Sequence, residues 1–493
     1  MIRKNIISFV GYILFFLGIS MFLTSLWSLY FNDNDFHAFI ESGLITTITS
    51  LVLILISRGG DKKDINLRDG FYVVTMAWVS MAIFSSLPYY QSIYFNSFAD
   101  AFFESMSGIT TTGATIIGAD LGYSIEDLPH GILFWRSFTQ FIGGMGIILF
   151  TIAILPILGM GGVQLFRAEV PGPTTDKLTP RIKETAKYLW GIYLGLIILQ
   201  TVILYIEGIL LNIDKMTFFN ALCHSMTTIS TAGFSTFNNS ILGFENDIVS
   251  WTIIIFMILG ATNFSLHFLF IAKKSFDYFN DTEFRSYIGA ILFLSFLTFI
   301  NISGIYGYSF KNLTASVFNT VSLLTTTGYT LYNYDTWPAL SQLIIFFMFF
   351  IGGMAGSTTG GIKLIRTILV IKYIKAELTK MIHPQALNHV KIGKNIINDD
   401  IVRSTLGFYL FYILIFALCS LIISMNGLDI ISSISISASS IGNIGPGLGM
   451  IGPSGNWGYL NDFSKYLATF CMLLGRLEIF TVIILFSRTY WKS

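Results

Sequence analysis

The chain has 493 residues, of which 53% are hydrophobic and only 12% are charged, and its mean hydropathy is +0.69. Soluble domains carry about 25% charged residues, so this composition excludes a soluble protein and indicates a polytopic membrane protein. The net charge of +1 gives no sign of a nucleic-acid partner, and the three cysteines lack metal-ligand or disulfide spacing.

Ten apolar runs approach the roughly 20 residues that a helix needs to cross a bilayer. The first is too long and too aromatic for a cleaved signal peptide, so we interpret it as a retained helix. The sequence therefore predicts an all-α membrane protein with ten spans. These are 6–30, 38–57, 71–93, 130–155, 186–211, 248–272, 286–306, 338–362, 404–425 and 465–487.

The distribution of basic residues predicts the orientation of the spans. Six segments hold 24 of the 29 Lys and Arg residues, and all six fall on one face of a ten-span protein. Because cytoplasmic loops carry the excess of positive charge, we expect both termini to be cytoplasmic. Within these segments, Lys372–Lys394 has the basic composition that suits lipid headgroups or an acidic cytosolic partner. The six are the N-terminus, 58–69, 157–187, 273–285, 363–403 and the C-terminal tail.

A long repeat follows an N-terminal hairpin of two helices, 1–69. Each copy has an apolar span, a short amphipathic segment, a Thr- or Ser-rich loop ending in glycine, and a second span; the fourth loop is degenerate. Such internal periodicity indicates one structural unit used several times. The aligned glycines are Gly113, Gly233, Gly328 and Gly445, and the expected repeats are 70–185, 186–284, 285–402 and 403–493.

The short segments before the glycines are too short to cross the hydrocarbon as helices, which rise 1.5 Å per residue. Irregular backbone at membrane depth is tolerated only where protein or a water-filled cavity surrounds it. The pattern therefore predicts four re-entrant pore helices, each followed by a filter loop, as four walls of one pore. The segments are Phe95–Ser107, Phe218–Thr228, Leu313–Leu323 and Leu428–Ser440.

The loops have the chemistry of a cation filter. Rings of backbone carbonyls can replace the hydration shell of an alkali cation, and Thr hydroxyls add acceptors. Glycine adopts the required positive φ at little cost, and helix C-termini aimed at the cavity favour a cation. The predicted filter residues are Thr110, Thr111, Thr112, Gly113, Ser230, Thr231, Ala232, Gly233, Thr325, Thr326, Thr327, Gly328, Gly442, Asn443, Ile444 and Gly445.

Glycines also mark the second spans, at Gly143-Gly144, Gly260, Gly352-Gly353 and Gly475. The third span has five glycines between Gly352 and Gly361. Each glycine in a helix costs roughly 1 kcal/mol relative to alanine, so we predict an unwound stretch just below the filter. A loose helix junction is the alternative interpretation.

Arg476 lies inside the last span, where an arginine costs from about 2.5 kcal/mol and usually faces the protein interior or water. Its position, 31 residues after Gly445, predicts a place below the filter on the fourth wall. There it could form an electrostatic barrier to cations. A structural ion pair between helices is the alternative, and Glu478 could pair with a cation on the cytoplasmic side.

Three polar residues, Glu104, His224 and Asn319, each precede a filter glycine by nine positions. We interpret them as anchors that fix the pore helices to the surrounding helices, not as ion ligands. The sequence has no HExxH, GxSxG, Walker or Rossmann motif, so it predicts no catalytic residues and no enzyme.

Taken together, these motifs resemble the superfamily of Trk, Ktr and HKT potassium transporters, and within it the bacterial TrkH/TrkG type. The similarity covers nearly the whole chain, and the N-terminal hairpin favours the TrkH type. Besides the four loops, the residues that carry it are Gln140–Gly146, Gln164–Pro173, Pro180–Ala186, Gly352–Lys363 and Gly442–Gly447.

The resemblance implies a pseudo-fourfold pore of four M1–pore helix–M2 units that takes up K⁺ across the bacterial inner membrane, without an organic cofactor. It also implies a homodimer and a cytosolic nucleotide-binding regulatory subunit of the TrkA type. By the same resemblance a glycine-rich gating loop and Arg476 lie beneath the filter. The loop residues are Gly352, Gly353, Gly356, Ser357, Thr358, Thr359, Gly360 and Gly361.

The residues alone leave the transport mode open. The fourth loop replaces hydroxyls with Gly442, Asn443 and Ile444, so a less selective K⁺/Na⁺ channel or an H⁺- or Na⁺-coupled symporter is the alternative. A membrane enzyme would need clustered His, Asp and Glu at one depth, which the sequence lacks. Carriers with broken helices typically have two repeats, and this chain has four.

Overall fold

The computed structural model describes residues 4–58, 67–118, 122–146, 182–275, 277–384, 389–393 and 395–492. Within these ranges the chain is almost entirely helical, in an N-terminal hairpin followed by four successive units. The second half of the predicted span 130–155 and the motif Gln164–Pro173 lie outside the described residues, as does the beginning of Pro180–Ala186.

The N-terminal hairpin consists of α1 (Lys4–Phe31) and α2 (Phe36–Ser57), which pack along their length. Glycines allow this close approach, since a Cβ atom at Gly18 would lie 2.3 Å from the Thr47 hydroxyl. Helix α1 also contacts the first and last helices of the first unit, Leu67–Ser85 and His130–Gly144, so the hairpin lies against that unit and outside the repeats.

Each unit contains an outer helix, a short pore helix and an inner helix. The first unit has α3 (Leu67–Ser85), α4 (Leu87–Gln91), α5 (Phe98–Ile109) and α6 (His130–Gly144). The second has α7 (Ile182–Leu210), α8 (Phe218–Ile229), α9 (Asp247–Gly260) and α10 (Phe264–Lys273). The third has α11 (Thr282–Tyr306), α12 (Phe310–Leu324), α13 (Ala339–Met348) and α14 (Leu364–Ile382). The fourth has α15 (Asp399–Ser424), α16 (Ile430–Gly442), α17 (Asp462–Arg476), α18 (Phe480–Ile483) and α19 (Arg488–Lys492).

A small β-hairpin corrects the purely helical prediction. Strands β1 (Lys391–Ile392) and β2 (Asn395–Ile396) pair antiparallel between the third and fourth units. Two residues per strand are too few to give a periodic signal in the sequence, so the pattern could not reveal it.

The four pore helices α5, α8, α12 and α16 begin in the same way. The residue before each helix accepts a hydrogen bond from the backbone N–H three positions later, a cap that contributes about 1 kcal/mol. The capping residues are Ser97, Thr217, Ser309 and Asp429. Each helix runs one or two residues further towards its loop than the sequence predicted.

The inner helices are interrupted at their glycines. Helix α9 ends at Gly260 and the chain bends by 94° into α10, while α17 ends at Arg476 and bends by 111° into α18. In the third unit, 349–363 is not helical, as the glycine-rich sequence predicted. The breaks in the second and fourth units were not predicted, since one glycine in an apolar run is also compatible with a continuous helix.

Six of the described helices are long and apolar enough to cross a membrane, or up to eight if each bent pair counts as one span. Their outward faces expose large apolar side chains, for example Leu410 (73%) and Leu421 (64%) on α15. Such faces are unfavourable in water and suit lipid. The chain is therefore a polytopic membrane protein with re-entrant elements.

The units pack in a cycle. Helix α6 of the first unit contacts the second pore helix α8, and α9 of the second contacts the third pore helix α12. Helix α17 of the fourth unit contacts the first pore helix α5, and the third and fourth units meet through α14 and α15, which closes the cycle. The inner helices α6, α9 and α17 therefore each support their own pore helix and that of the next unit.

A buried ion pair fixes the contact between the fourth and first units. Lys465 on α17 donates to Asp100 on α5, with 2.6 Å between Nζ and Oδ1, and both side chains are less than 10% exposed. Removing one partner from a buried pair leaves an uncompensated charge, which is far more costly than losing an exposed pair.

We expect Lys465→Met to lower the free energy of unfolding by about 3–5 kcal/mol, because Asp100 would remain buried and charged. Thermal unfolding of the purified protein in detergent measures this loss. The matched control is Lys215→Met, whose pair with Glu245 is 54% and 76% exposed, and it should cost no more than about 1 kcal/mol. Adding Asp100→Asn to Lys465→Met should recover most of the loss; equal losses in the two single variants would contradict the expectation.

Candidate ion pathway

The four pore helices end in the same unusual backbone conformation. The second residue of each loop is left-handed, with φ of 55° at Thr111, 51° at Thr231, 52° at Thr326 and 51° at Asn443. A left-handed residue with a side chain costs roughly 1–2 kcal/mol. Three β-branched threonines in this region indicate a backbone held by its surroundings, as occurs at functional sites.

The next residue of each loop donates its N–H back to the pore helix, as in a Schellman motif. The donors are Thr112, Ala232, Thr327 and Ile444, and the accepting carbonyls belong to Ser107, Thr227, Ser322 and Ser439, at 2.9–3.1 Å. The fourth loop is degenerate in sequence but keeps this backbone. An asparagine at its left-handed position is the expected exception, because asparagine tolerates that region better than most residues.

The loop glycines close a ring. A Cβ atom added at Gly113 would lie 2.1 Å from the carbonyl oxygen of Ala232 in the next loop. The equivalent distances are 1.9 Å from Gly233 to Thr327, 1.9 Å from Gly328 to Ile444 and 2.6 Å from Gly445 to Thr112. Each loop therefore touches the next in chain order, and the fourth touches the first.

The ring surrounds one shared space. All four loop glycines line a cavity of about 80 Å³, together with residues that follow them, such as Thr115, Ser235 and Thr330. The structure thus brings the four loop glycines together around one cavity, and the other twelve predicted filter residues directly precede these glycines in the chain.

Side-chain hydroxyls of the ring bond to one another. Thr110 and Thr112 are 2.8 Å apart at their oxygens, and Thr325 and Thr327 repeat this contact at 2.8 Å. In the fourth loop, Asn443 donates from Nδ2 to the Thr112 hydroxyl at 3.0 Å. These side chains brace the loops, and Ala232 leaves the second loop without such a contact.

Gln140 on α6 supplies a brace for that second loop. Its Nε2 donates to the Ala232 carbonyl at 2.8 Å, and its Oε1 accepts from the Phe234 N–H at 3.0 Å. The side chain is fully buried, so both bonds form away from water. One of the two lone pairs of the Ala232 oxygen is thereby occupied.

The predicted anchors bind mainly the chain that leaves the filter. Glu104 accepts from the Thr115 hydroxyl and the Ile116 N–H, and the His224 imidazole lies 3.0 Å from the Ser235 hydroxyl. In the third unit Asn319 accepts from Leu331 N–H, and in the fourth Ser435 accepts from Leu448 N–H. Each pore helix therefore bonds to the segment that follows its own loop, and among the contacts described for these four residues Glu104 alone also bonds to a side chain on a surrounding helix.

That helix supplies Arg136. Its side chain is only 1% exposed, and Nε donates to Glu104 at 2.8 Å while Nη1 donates to the Ser235 carbonyl at 2.9 Å. Arg136 is therefore a buried bridge between the first pore helix, at Glu104, and the segment that follows the second loop, at Ser235. Its place within an apolar span was a signal that it needed a buried acid.

The glycine-rich stretch forms a closed loop beneath the ring. Its two limbs are joined by hydrogen bonds from Gly352 N–H to the Ile362 carbonyl at 2.8 Å and from Leu364 N–H to the Gly353 carbonyl at 3.0 Å. The limbs pack so closely that a Cβ atom at Gly352 would lie 2.4 Å from the Gly360 carbonyl. A continuous helix is excluded here.

The tip of this loop bonds to two filter walls. The Thr358 hydroxyl oxygen lies 2.9 and 3.0 Å from the carbonyl oxygens of Ile229 and Gly260, between which its one proton is shared, and the Gly360 N–H donates to the Thr326 hydroxyl at 2.8 Å. Ile229 is the last residue of the second pore helix, directly before the filter. The loop therefore lies against the inner end of the ring.

Arg476 bonds to the loop from the fourth wall. Its Nη1 donates to the Thr358 carbonyl at 2.8 Å, and Nη2 donates to the carbonyls of Gly143 and, at 3.1 Å, Gly144. The guanidinium thus joins the third and first walls directly below the filter. The adjacent Glu478 pairs with Arg366 at the start of α14, which agrees with a cation partner for that acid.

A protein-family model described as TrkH, cation transport protein, matches residues 37–493. The chain belongs to the TrkH family. It is 37% identical over 497 residues to the Trk system potassium uptake protein TrkH of Vibrio parahaemolyticus, with 99% of each chain covered. It is 35% identical over 497 residues to TrkG of Escherichia coli K12, covering 98% of this chain and 97% of the relative.

The family relation extends to the three-dimensional structure. The crystal structure of the potassium transporter TrkH from Vibrio parahaemolyticus superposes with a TM-score of 0.87 at 35% identity, and 99% of both chains is covered. A TrkH-family transporter is not an enzyme, which confirms the expectation drawn from the missing catalytic motifs.

We expect Gly113→Ala to destabilise this TrkH-family protein by about 2 kcal/mol more than Gly122→Ala, because overpacking adds about 1–3 kcal/mol to the cost of a positive φ. The two glycines have the same φ, 78°, but only Gly113 faces a neighbouring carbonyl, whereas a Cβ atom at Gly122 meets nothing within 4 Å. Thermal unfolding in detergent measures the difference, and equal losses would show that ring contact is not the constraint.

Proposed function

We propose that this protein takes up potassium across the bacterial inner membrane through the pore that the four loops surround. The observation that carries the proposal is the closed ring of loop glycines around one cavity. A ring gives a dehydrated cation oxygen ligands from all sides, which a single loop cannot do. The names of the relatives, potassium uptake proteins of the Trk system, support potassium as the ion.

The filter is formed by the main-chain carbonyls of the sixteen ring residues, from Thr110–Gly113, Ser230–Gly233, Thr325–Gly328 and Gly442–Gly445. Within the first loop two threonine hydroxyls bond to each other, and the same holds within the third loop. The main-chain carbonyls therefore remain as the ligands that all four loops have in common. The negative ends of the four pore-helix dipoles adjoin the loops and favour a cation there. Because all four backbones are alike, the ion meets comparable oxygens despite the different side chains.

The gate lies below the filter. The loop residues Gly352, Gly353, Gly356, Ser357, Thr358, Thr359, Gly360 and Gly361 occlude the exit, and Arg476 holds the loop and repels cations. The Thr358 hydroxyl and the Gly360 N–H join the loop tip to the second and third walls, and the Arg476 guanidinium joins it to the first. Opening requires these contacts to break together.

The chain crosses the membrane ten times with both termini in the cytoplasm. Its domains are the hairpin 1–69 and the repeats 70–185, 186–284, 285–402 and 403–493. The protein acts as a homodimer with a cytosolic nucleotide-binding subunit of the TrkA type, in keeping with relatives named as parts of a Trk system. A regulatory subunit on that side would act on the gate through α14, which continues directly from the glycine-rich loop.

Proteoliposomes containing the purified protein should take up ⁸⁶Rb⁺, and K⁺ should compete better than Na⁺. Gly328→Ser should abolish uptake or its preference for K⁺, because a Cβ atom there would lie 1.9 Å from the Ile444 carbonyl. Gly427→Ser is the control, since that glycine also has positive φ, 81°, but meets nothing within 4 Å. Unchanged uptake and selectivity in Gly328→Ser would refute the filter. Equal competition by Na⁺ would favour a less selective channel, and dependence on a proton or sodium gradient would favour a symporter.

Arg476→Ala should raise basal ⁸⁶Rb⁺ flux about tenfold, since the loss of three hydrogen bonds and one positive charge destabilises the closed state by at least about 1.4 kcal/mol. Deletion of Gly356–Gly360 should have the same direction of effect. The control is Arg285→Ala, whose side chain is exposed on α11. A lower flux from folded Arg476→Ala protein would contradict the barrier role.

A further inference from the structure

Glu283 is a buried carboxylate that neither the motifs nor the proposed pore has used. It is the second residue of α11, the outer helix of the third unit, and only 6% of it is exposed. A carboxylate is costly to bury unless hydrogen-bond donors surround it. Its donors therefore indicate what it does.

Those donors are two backbone N–H groups of the glycine-rich loop and its flank. Oε1 of Glu283 accepts from the N–H of Ala355 at 2.9 Å and from the N–H of Ile365 at 3.0 Å. Ala355 lies on the limb that enters the loop, and Ile365 lies just after the limb that leaves it, in the first turn of α14. One oxygen atom therefore joins both limbs of the loop.

This contact differs from the others that hold the loop. The bonds of Thr358, Gly360 and Arg476 hold the tip of the loop against the filter. The main-chain bonds Gly352–Ile362 and Leu364–Gly353 join the two limbs to each other. Glu283 ties both limbs to an outer helix. If the limbs separate or the third inner helix straightens, both N–H groups cannot stay within hydrogen-bond distance of one oxygen.

We propose that Glu283 is a positioning residue that holds the glycine-rich loop in its closed place. The inference rests on the proposed function for its effect on flux, but the effect on the loop can be measured separately. Without the carboxylate, two buried N–H groups lose their acceptor, and a buried unsatisfied donor strongly disfavours the conformation that creates it. The substitution therefore destabilises the closed conformation of the loop. It does not destabilise an open conformation, in which these two hydrogen bonds are already broken.

The experiment compares Glu283→Gln and Glu283→Leu with the matched control Asp281→Asn. Asp281 is the neighbouring carboxylate that caps the same helix through Phe284 N–H, and no bond to the loop involves it among the contacts that the structure describes. The first readout is hydrogen–deuterium exchange of the peptide that contains Ala355 and Ile365, and the second is basal ⁸⁶Rb⁺ flux in proteoliposomes.

We expect exchange and basal flux to rise about tenfold in Glu283→Leu, which lacks any acceptor, while Asp281→Asn stays near the parent. Glu283→Gln keeps an acceptor oxygen but loses the charge, so both values should lie between parent and Leu variant. This partial rescue would not follow from a merely structural role. If Glu283→Leu fails to fold, the comparison of Glu283→Gln with Asp281→Asn decides.

Unchanged exchange in both Glu283 variants would overturn the proposal. Where the parent or Arg476→Ala conducts, faster exchange with unchanged or lower flux in the Glu283 variants would overturn it as well. If Arg476→Ala raises flux but neither Glu283 variant does, the gate stands and the role of Glu283 fails. If neither the parent nor Arg476→Ala conducts any cation, the proposed function fails, and the exchange data alone then decide whether Glu283 positions the loop.

Discussion

The closest constraint in this structure is the contact between each loop glycine and the carbonyl of the next loop. A Cβ atom at any of these glycines would lie within 2.6 Å of a neighbouring oxygen. The four loops can therefore form a ring only if each contributes a residue without a side chain. Three other features support this contact. The capped pore helices direct their C-terminal ends at the ring, and the Schellman motifs set the direction in which each loop leaves its helix. The buried polar residues then bond the segment after each loop to its own pore helix.

Much of this arrangement follows from the sequence. The four copies of the sequence repeat predicted the pore helices, the loop residues and the unwound third inner helix. Short apolar segments and clustered glycines are compatible with few other structures at membrane depth. What the pattern could not give is the partner of a single polar residue. Arg136 and Glu283 each lie in ordinary apolar or helical context, and only the packing of distant segments reveals that one binds Glu104 and the other binds the loop.

The breaks in the second and fourth inner helices were missed for a related physical reason. A lone glycine lowers helix stability by only about 1 kcal/mol, which tertiary packing readily overrides in either direction. In this chain Gly260 and Gly475 pack against the last turn of their own pore helices, at Ile229 and Ile441. The bend follows within four residues. The glycine that allows close contact with the pore helix therefore lies just before the bend in the inner helix.

The cyclic order of the four units within one chain has a consequence for charge. A pore made of four identical subunits must repeat every residue four times around its axis, and four guanidinium groups at the level of Arg476 would repel one another strongly in a low-dielectric setting. A covalently joined ring can carry one arginine on one wall and one glycine-rich loop on another. Four linked units in a single chain thus permit an asymmetric layer that a strictly symmetric assembly could not hold, while the backbone ring above it keeps its near-fourfold form.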